Sequence, residues 1–388
     1  MRVAVVNFAY DERLRTPEEL LERYHSLTGW CESLPAAGAD SVTVVQRFRG
    51  DAHLVSGGID YHFFDDRLLK RSRLPLRTRF HHRLVEATNA DIVHVNGLDF
   101  PLETSLLRRA IRTDAALVVQ DHASGDPGSV QSIAHATKRS LRKRLMRSID
   151  GFLFTSALQA EAWQRAGLIS SDQPVYEVLE ASTCMKPVDR SIARRETAIS
   201  GDPAVLWVGR LNANKDPMTV LDGFEQSLAR VPSLKLSMIY SEGELLGAVR
   251  DRLAASPALA ARVALIGKVA SVRMASFYSA ADLFVVGSHH EGSGYALLEA
   301  CACGLSPVVT DIPAFRRITN GGSIGSLWPA GNASALADAI VRGAGSDRQD
   351  ARNRVRSFFD HTLSWPTVAQ VAMRAYRDLM ARRRAKTA

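Results

Sequence analysis

The residues best placed to do chemistry lie in DLFVVGSHHEGSGYALLEACACGLSP, residues 282–307. A strand pattern ends near Val286, a polar loop bearing glycines runs from Gly287 to Gly294, and a helix pattern begins near Tyr295. Gly292 and Gly294 let backbone approach a ligand closely, and the first N–H groups of that helix, those of Tyr295, Ala296 and Leu297, have no partner within it. A helix start of this kind attracts anions. Glu291 and Glu299 flank it with seven residues between them. Glu299 falls about one turn in, among Leu297, Leu298 and Ala300, where a carboxylate suits the two donors of a vicinal diol. A second loop, within VLWVGRLNANKDP at 205–217, leaves a strand end at Gly209 and carries Arg210 and Lys215. An arginine fork and a lysine point charge together suit a diphosphate. Each pattern alone has a plainer reading: Glu291 complementing a helix dipole, Glu299 solvated, Arg210 and Lys215 on a solvated basic loop. Both loops leave carboxyl ends of strands in one half of the chain, which favours a nucleotide ligand.

Such loops need a scaffold, and the chain has the composition to build one. Its 388 residues are 46% hydrophobic and 23% charged, too long for a single ordinary core and too apolar for disorder. Short β-branched runs alternate with longer amphipathic segments, which predicts parallel sheets covered by helices. Strands are expected at Arg2–Phe8, Ser41–Phe48, Asp91–Val95, Ala115–Gln120, Gly151–Thr155 and Pro174–Leu179. The series restarts at Ala204–Val208, Leu234–Tyr240, Val263–Ile266, Leu283–Val286 and Ser306–Val309. Pro17–Pro35 reads as one helical stretch, and residues 187–203, with mixed charge and no sustained period, read as a linker. The expected order is a first α/β domain at 1–186, the linker, a second α/β domain at 204–364, and an amphipathic helix within 365–388 that packs back on the first. Four cysteines are too few for a disulfide framework, and Cys301 and Cys303 lack metal-site spacing, so packing is their expected role. No apolar run reaches the length of a membrane span, and Met1–Tyr10 has no signal-peptide pattern, so a cytoplasmic protein is expected.

Together these residues resemble the retaining glycosyltransferases of the GT-B fold, specifically glycosyltransferase family 4. The resemblance rests on Gly209, Arg210, Leu211 and Lys215, on the Ser-x-x-Glu-Gly-x-Gly run of Ser288, Glu291, Gly292 and Gly294 followed by Glu299, and on Phe277-Tyr278-Ser279-Ala280-Ala281-Asp282 before it. It implies two Rossmann-like domains facing across a cleft. It implies a nucleotide-diphosphate-sugar donor, with Arg210 and Lys215 on the diphosphate, Glu299 on the ribose and Glu291 on the transferred sugar. The backbone at Ser293, Gly294, Tyr295 and Ala296 would hold sugar hydroxyls and phosphate oxygens, and Gly267, Lys268 and Val269 would border the base. The family usually requires no metal, and no metal site or cofactor is expected here.

The first half matches the family less closely, because Asn7-Phe8-Ala9-Tyr10-Asp11-Glu12 replaces a glycine-rich loop. Asp91-Ile92-Val93-His94-Val95-Asn96-Gly97 resembles a family strand, with Asn96 at the place of a histidine; His94, among valines, reads as a core residue. His122, in the loop after a strand ending at Gln120, is a candidate for the reacting region. Glu180 is expected to hold the turn between domains. The formal charge of +8 divides between Arg210 and Lys215 and two first-half clusters. One runs through Arg67, Lys70, Arg71, Arg73, Arg77, Arg79 and Arg83; the other holds Lys138, Arg139, Arg142, Lys143, Arg144 and Arg147. Basic amphipathic helices rest on anionic membranes or simply face water, so the acceptor is either lipid-linked or soluble. Charge alone suggests a nucleic-acid-binding protein, but no motif or exposed aromatic stripe supports it. A dinucleotide-dependent oxidoreductase should show G-x-G-x-x-G after the first strand, and Val6 to Arg13 contains no glycine. A nearer alternative is another GT-B enzyme, such as a sugar-nucleotide epimerase or a phosphorylase.

Overall fold

The computed structural model describes residues 1–65, 85–86, 88–122, 133–241 and 243–387. The chain divides into two compact units, Met1–Ser182 with Trp365–Ala388, and Thr183–Ser364.

The first unit is built on β1 (Arg2–Asn7), β2 (Ser41–Arg47), β3 (Ala52–Ser56), β4 (Ile59–Phe64), β5 (Ile92–Asn96), β6 (Ala116–Gln120), β7 (Gly151–Phe154) and β8 (Val175–Glu177). They form one sheet in the order β3-β4-β2-β1-β5-β6-β7-β8, parallel except for β3. The central strands are almost wholly buried, which is why they read as continuous apolar runs. The strand order reverses at β1, which lies between β2 and β5. In open α/β sheets the space beyond the carboxyl ends at such a point receives ligands. Asn7, Asn96 and Gln120 are the last residues of β1, β5 and β6, and Gln46 is one short of the end of β2.

The second unit carries β9 (Ala204–Arg210), β10 (Lys235–Ser241), β11 (Val263–Gly267), β12 (Leu283–Val286), β13 (Ser306–Thr310) and β14 (Ser326–Trp328). The order is β11-β10-β9-β12-β13-β14, parallel throughout. Here the reversal lies at β9, so the loops after β9 and β12 emerge side by side.

Besides β14, which has no counterpart among the expected strands, three features differ from the sequence expectation. Pro17–Pro35 is two helices, Pro17–Arg23 and His25–Ser33, because Tyr24 leaves helical geometry (φ −105°, ψ 65°) while its hydroxyl donates to Asp11 at 3.1 Å. Residues 187–203 are not a bare linker. Asp189 caps a helix at Arg190–Thr197, and Arg190 and Arg194 reach the buried carboxylate of Asp282, which also accepts from the Ala204 amide at 2.9 Å. The two arginines of this segment and the first amide of β9 share one carboxylate, which ties the segment into the second unit. The hairpin β3–β4 was not anticipated, although its Gly57-Gly58 turn is a hairpin signal, since β3 is exposed on both faces.

The terminal helix, Trp365–Thr387, belongs to the first unit. Tyr376 is fully buried, and its hydroxyl lies 2.6 Å from Nδ1 of the equally buried His94. Tyr176 donates to Asp378, and Arg383 donates to the Thr113 carbonyl at 2.8 Å. Burial drives the His94 imidazole down to about 3, so it is a neutral core group. Cys31, Cys301 and Cys303 are buried, while Cys184 is exposed.

Candidate functional site

In the second unit the loops after β9 and β12 are clasped together. Asn212 accepts from the Lys215 amide at 3.0 Å and fixes a short 3-10 turn at Ala213–Lys215. Asn214 then bridges to the other loop, its side chain donating to the His290 carbonyl and accepting from the His290 amide, each at 3.0 Å. The Asn214 carbonyl accepts from the His289 amide at 2.9 Å, and the His289 ring meets Asp216 at 3.0 Å. The result is that Lys215 and Glu291 form a largely buried ion pair, with the Ser288 hydroxyl donating to the same Glu291 oxygen at 2.7 Å. Arg210 ends β9 and is exposed.

The helix expected near Tyr295 runs Tyr295–Ala302. Gly294 caps it in left-handed geometry (φ 60°), and a Cβ there would meet Ile318 at 2.9 Å and Phe315 at 3.0 Å, so only glycine fits. No side chain caps the helix start. Glu299 accepts from the Tyr278 hydroxyl at 2.8 Å. Burial raises the Glu299 carboxyl to about 7 against that hydrogen bond, and burial beside Glu299 pushes Tyr278 well above its usual range. Burial likewise lifts Tyr295 to about 12. Gly292 and Gly294 are buried, Ser293, Tyr295 and Ala296 half-buried. Gly267 ends the edge strand β11, two places from β9, and Lys268 and Val269 follow it on that rim, away from the clasp.

The first unit holds a separate cavity of about 320 Å³ beyond the carboxyl ends of β1, β2, β5 and β6. His122 lies on its wall with both ring nitrogens engaged: Nδ1 is 2.9 Å from Glu180 and Nε2 is 3.0 Å from Asn96 Oδ1. Burial lowers the imidazole's pKa, and the Glu180 carboxylate outweighs it, so the ring lies above its ordinary value. Glu180, two residues before the end of the first unit's main segment at Ser182, is buried against His122. In the basic helix Ile133–Met146, Arg142 stacks over the Trp163 ring at 4.7 Å and Arg139 donates to the Ala166 carbonyl, whereas Lys143, Arg144 and Arg147 are exposed. The Arg67–Arg83 cluster lies outside the described residues, and so does the Lys138 side chain. Among the described residues one group is close enough to hold a metal ion, His53, Asp60 and His62 on the β3–β4 hairpin, where the Asp60 carboxylate meets both imidazoles. It was invisible in the sequence because it depends on the unanticipated pairing of His53 opposite His62.

Residues 20–174 match the family described as Glycosyltransferase Family 4, and residues 189–355 match Glycosyl transferases group 1. The chain belongs to the family 4 glycosyltransferases. Among curated relatives, this family 4 chain is 26% identical over 257 residues to the GDP-mannose:cellobiosyl-diphosphopolyprenol alpha-mannosyltransferase of Xanthomonas campestris. That match covers 65% of the chain and 64% of the relative, so the chain spans just under two thirds of that protein's length. It is also 26% identical to the phosphatidyl-myo-inositol mannosyltransferase of Mycobacterium tuberculosis, over 74% of the chain and 73% of the relative. The fold matches sucrose-phosphate synthase from Thermosynechococcus elongatus (TM-score 0.71, 20% identity, 98% of this chain and 99% of that one). It also matches Anabaena HepE solved with UDP and glucose (TM-score 0.70, 15% identity, 97% and 100%). These are two-domain GT-B structures with parallel sheets, and the family 4 chain shares that architecture.

Proposed function

We propose that the protein transfers a sugar, with retention of anomeric configuration, from a nucleotide-diphosphate sugar to a sugar or lipid-linked acceptor. The observation that carries the reading is the clasp that sets Lys215 against Glu291 beside the uncapped helix start at Gly294. Breaking a sugar–phosphate bond develops negative charge on the departing diphosphate. Cations and N–H groups already aimed at that charge stabilise the transition state more than the ground state. Lys215 has three donors, so it can keep Glu291 and still bind a phosphate oxygen. Arg210, exposed at the strand end, supplies the bidentate partner. Glu291, held by Ser288 and Lys215, is oriented to accept from hydroxyls of the transferred sugar, and Glu299 from the ribose diol. Gly292, Ser293, Tyr295 and Ala296 contribute the backbone around the sugar and phosphate, and Gly267, Lys268 and Val269 border the base. With the charge met by Arg210, Lys215 and the helix start, transfer proceeds without a metal.

In the first unit His122, held by Glu180 and Asn96, positions the reacting groups. The exposed Lys143, Arg144 and Arg147 beside exposed Leu141 suit peripheral contact with an anionic membrane at the cytoplasmic face, which favours a lipid-linked acceptor. The named donor of the Xanthomonas relative makes GDP-mannose the first to try. The test is a thermal-shift screen against UDP, GDP, ADP and their sugar conjugates, followed by transfer assays with and without EDTA and NMR of the product anomer. Lys215→Ala and Glu299→Gln should abolish transfer in folded protein, and normal turnover in both variants would refute the assignment.

A further inference from the structure

The edge hairpin of the first sheet carries three side chains that the proposed transfer does not use, His53, Asp60 and His62. In the antiparallel register His53 stands directly opposite His62, and Asp60 opposite Val55. Side chains two apart on a strand share a face, so all three lie on one face of the hairpin. That face is turned to water: along β4, Ile59, Tyr61 and Phe63 are buried, Asp60 and His62 between them are half-buried, and His53 on β3 is exposed. The imidazoles stack with ring centres 4.7 Å apart. Each turns Nε2 to the same carboxylate, His53 to one Asp60 oxygen and His62 to the other at 3.1 Å. One ligand atom from each residue lies within 4.8 Å of the other two.

Register holds the three together. Gly57 and Gly58, both in left-handed geometry (φ 59° and 77°), make the two-residue turn that pairs Ser56 with Ile59. A turn this short fixes the pairing, so the backbone brings the ligand atoms together before any ion arrives. β4 is pinned on its other side by β2, whereas β3 ends the sheet and is exposed at four of its five positions. An edge strand with so few buried contacts opens readily, and a bond across the hairpin would hold it closed.

The donor set selects the ion. Two neutral imidazoles and a carboxylate suit zinc and the neighbouring divalent transition metals, whereas magnesium and calcium take oxygen ligands. Tetrahedral zinc with bonds of about 2.0–2.1 Å sets its ligand atoms about 3.3 Å apart, which small rotations of these solvent-facing side chains reach. Three protein ligands leave the fourth position to water. None of the three residues lines the first-unit cavity, which leaves the ion a structural part.

We propose that His53, Asp60 and His62 bind one divalent ion of the zinc class, which bonds the edge strand β3 to β4. The proposal does not rest on the transfer function.

The test uses the full chain, stripped of metal with EDTA and dialysed. Isothermal titration with zinc should show a site that excess magnesium does not displace. His53→Asn and His62→Asn should each weaken that site at least about tenfold, with circular dichroism unchanged. Other surface histidines bind zinc as well, so the second reading is local: hydrogen exchange of the β3–β4 amides. With free zinc at about 100 times Kd, exchange through opening of the hairpin should slow about a hundredfold in the native chain and stay unchanged in both variants. Should a variant fail to fold, hairpin exchange in the native chain with and without zinc still decides. The absence of zinc binding, equal affinity in both variants (an adventitious ion only), displacement by magnesium, or hairpin exchange indifferent to zinc would each overturn the proposal.

Discussion

On the proposed function, in which Glu299 accepts from the donor's ribose, pH is linked to donor affinity in a way that Tyr278 controls. Burial holds the carboxyl at about 7, and the Tyr278 hydroxyl at 2.8 Å stabilises the charged form. A ribose diol donates best to the carboxylate. One pH unit below the pKa only about one molecule in ten is ionised, so nucleotide-sugar affinity should fall about tenfold from pH 8 to pH 6. Stability runs the other way. The folded value lies above the ordinary 4.5, so the contribution is fully present below 4.5 and is lost as pH rises through 7. At 1.36 kcal/mol per unit the loss is about 3 kcal/mol for the second unit. Tyr278→Phe keeps the ring in its buried site and deletes a hydrogen bond to a charge, worth about 1.5–3 kcal/mol. The midpoint of the affinity profile should therefore move up by about one to two pH units. Isothermal titration with a nucleotide sugar, whose diphosphate has no proton to lose in this range, reads the profile in the native chain, Tyr278→Phe and Glu299→Gln. A midpoint that stays put in Tyr278→Phe, or a Glu299→Gln variant that keeps the native pH dependence, would refute the reasoning.

Glu180→Gln should lower the His122 pKa, because the carboxylate is what outweighs burial at that ring; NMR titration of the imidazole checks it, and an unmoved midpoint contradicts the pairing. Gly294→Ala places a side chain in left-handed geometry against Phe315 and Ile318, which should cost about 1–3 kcal/mol in urea denaturation and remove nucleotide binding. Tyr376→Phe strips a partner from buried His94 and should cost about 1–3 kcal/mol, read from the unfolding of the first unit. The folded pKa of His94, near 3, lies below the ordinary 6.5, so the stability it contributes is present above 6.5 and lost as pH falls, by about 2 kcal/mol at pH 5. Urea midpoints at pH 7 and pH 5 measure that loss, which Tyr376→Phe should not abolish.

The central strands were legible because a strand buried on both faces must be apolar along its whole length, as in Val3–Val6 and Leu283–Val286. The β3–β4 hairpin was not, since Ala52–Ser56 is an edge strand facing water on both sides and leaves no alternation to read. The helix at Arg190–Thr197 was missed for a related reason. Its attachment comes from arginines converging on Asp282, about ninety residues away in sequence, and not from an apolar stripe. Long-range ion pairs have no local period.

The second-unit site was legible for a different reason. Glycines, a strand end and a helix start within a dozen residues leave few backbone paths, so Gly294 and the helix at Tyr295 fell where the pattern put them. The partners that tune the site were not. Tyr278 meets Glu299 from the preceding helix, and Asn214 clasps a loop some 76 positions on, each by a contact that only the sheet order creates. A row of carboxamides at the carboxyl rim of the first sheet shows the same limit most sharply. Asn7, Gln46, Asn96 and Gln120 are scattered over more than a hundred residues, and each alone is an ordinary polar strand end. Register makes them one surface: Asn7, Asn96 and Gln120 close their strands, Gln46 lies one residue short of the end of β2, and the parallel pairing sets all four level on one rim.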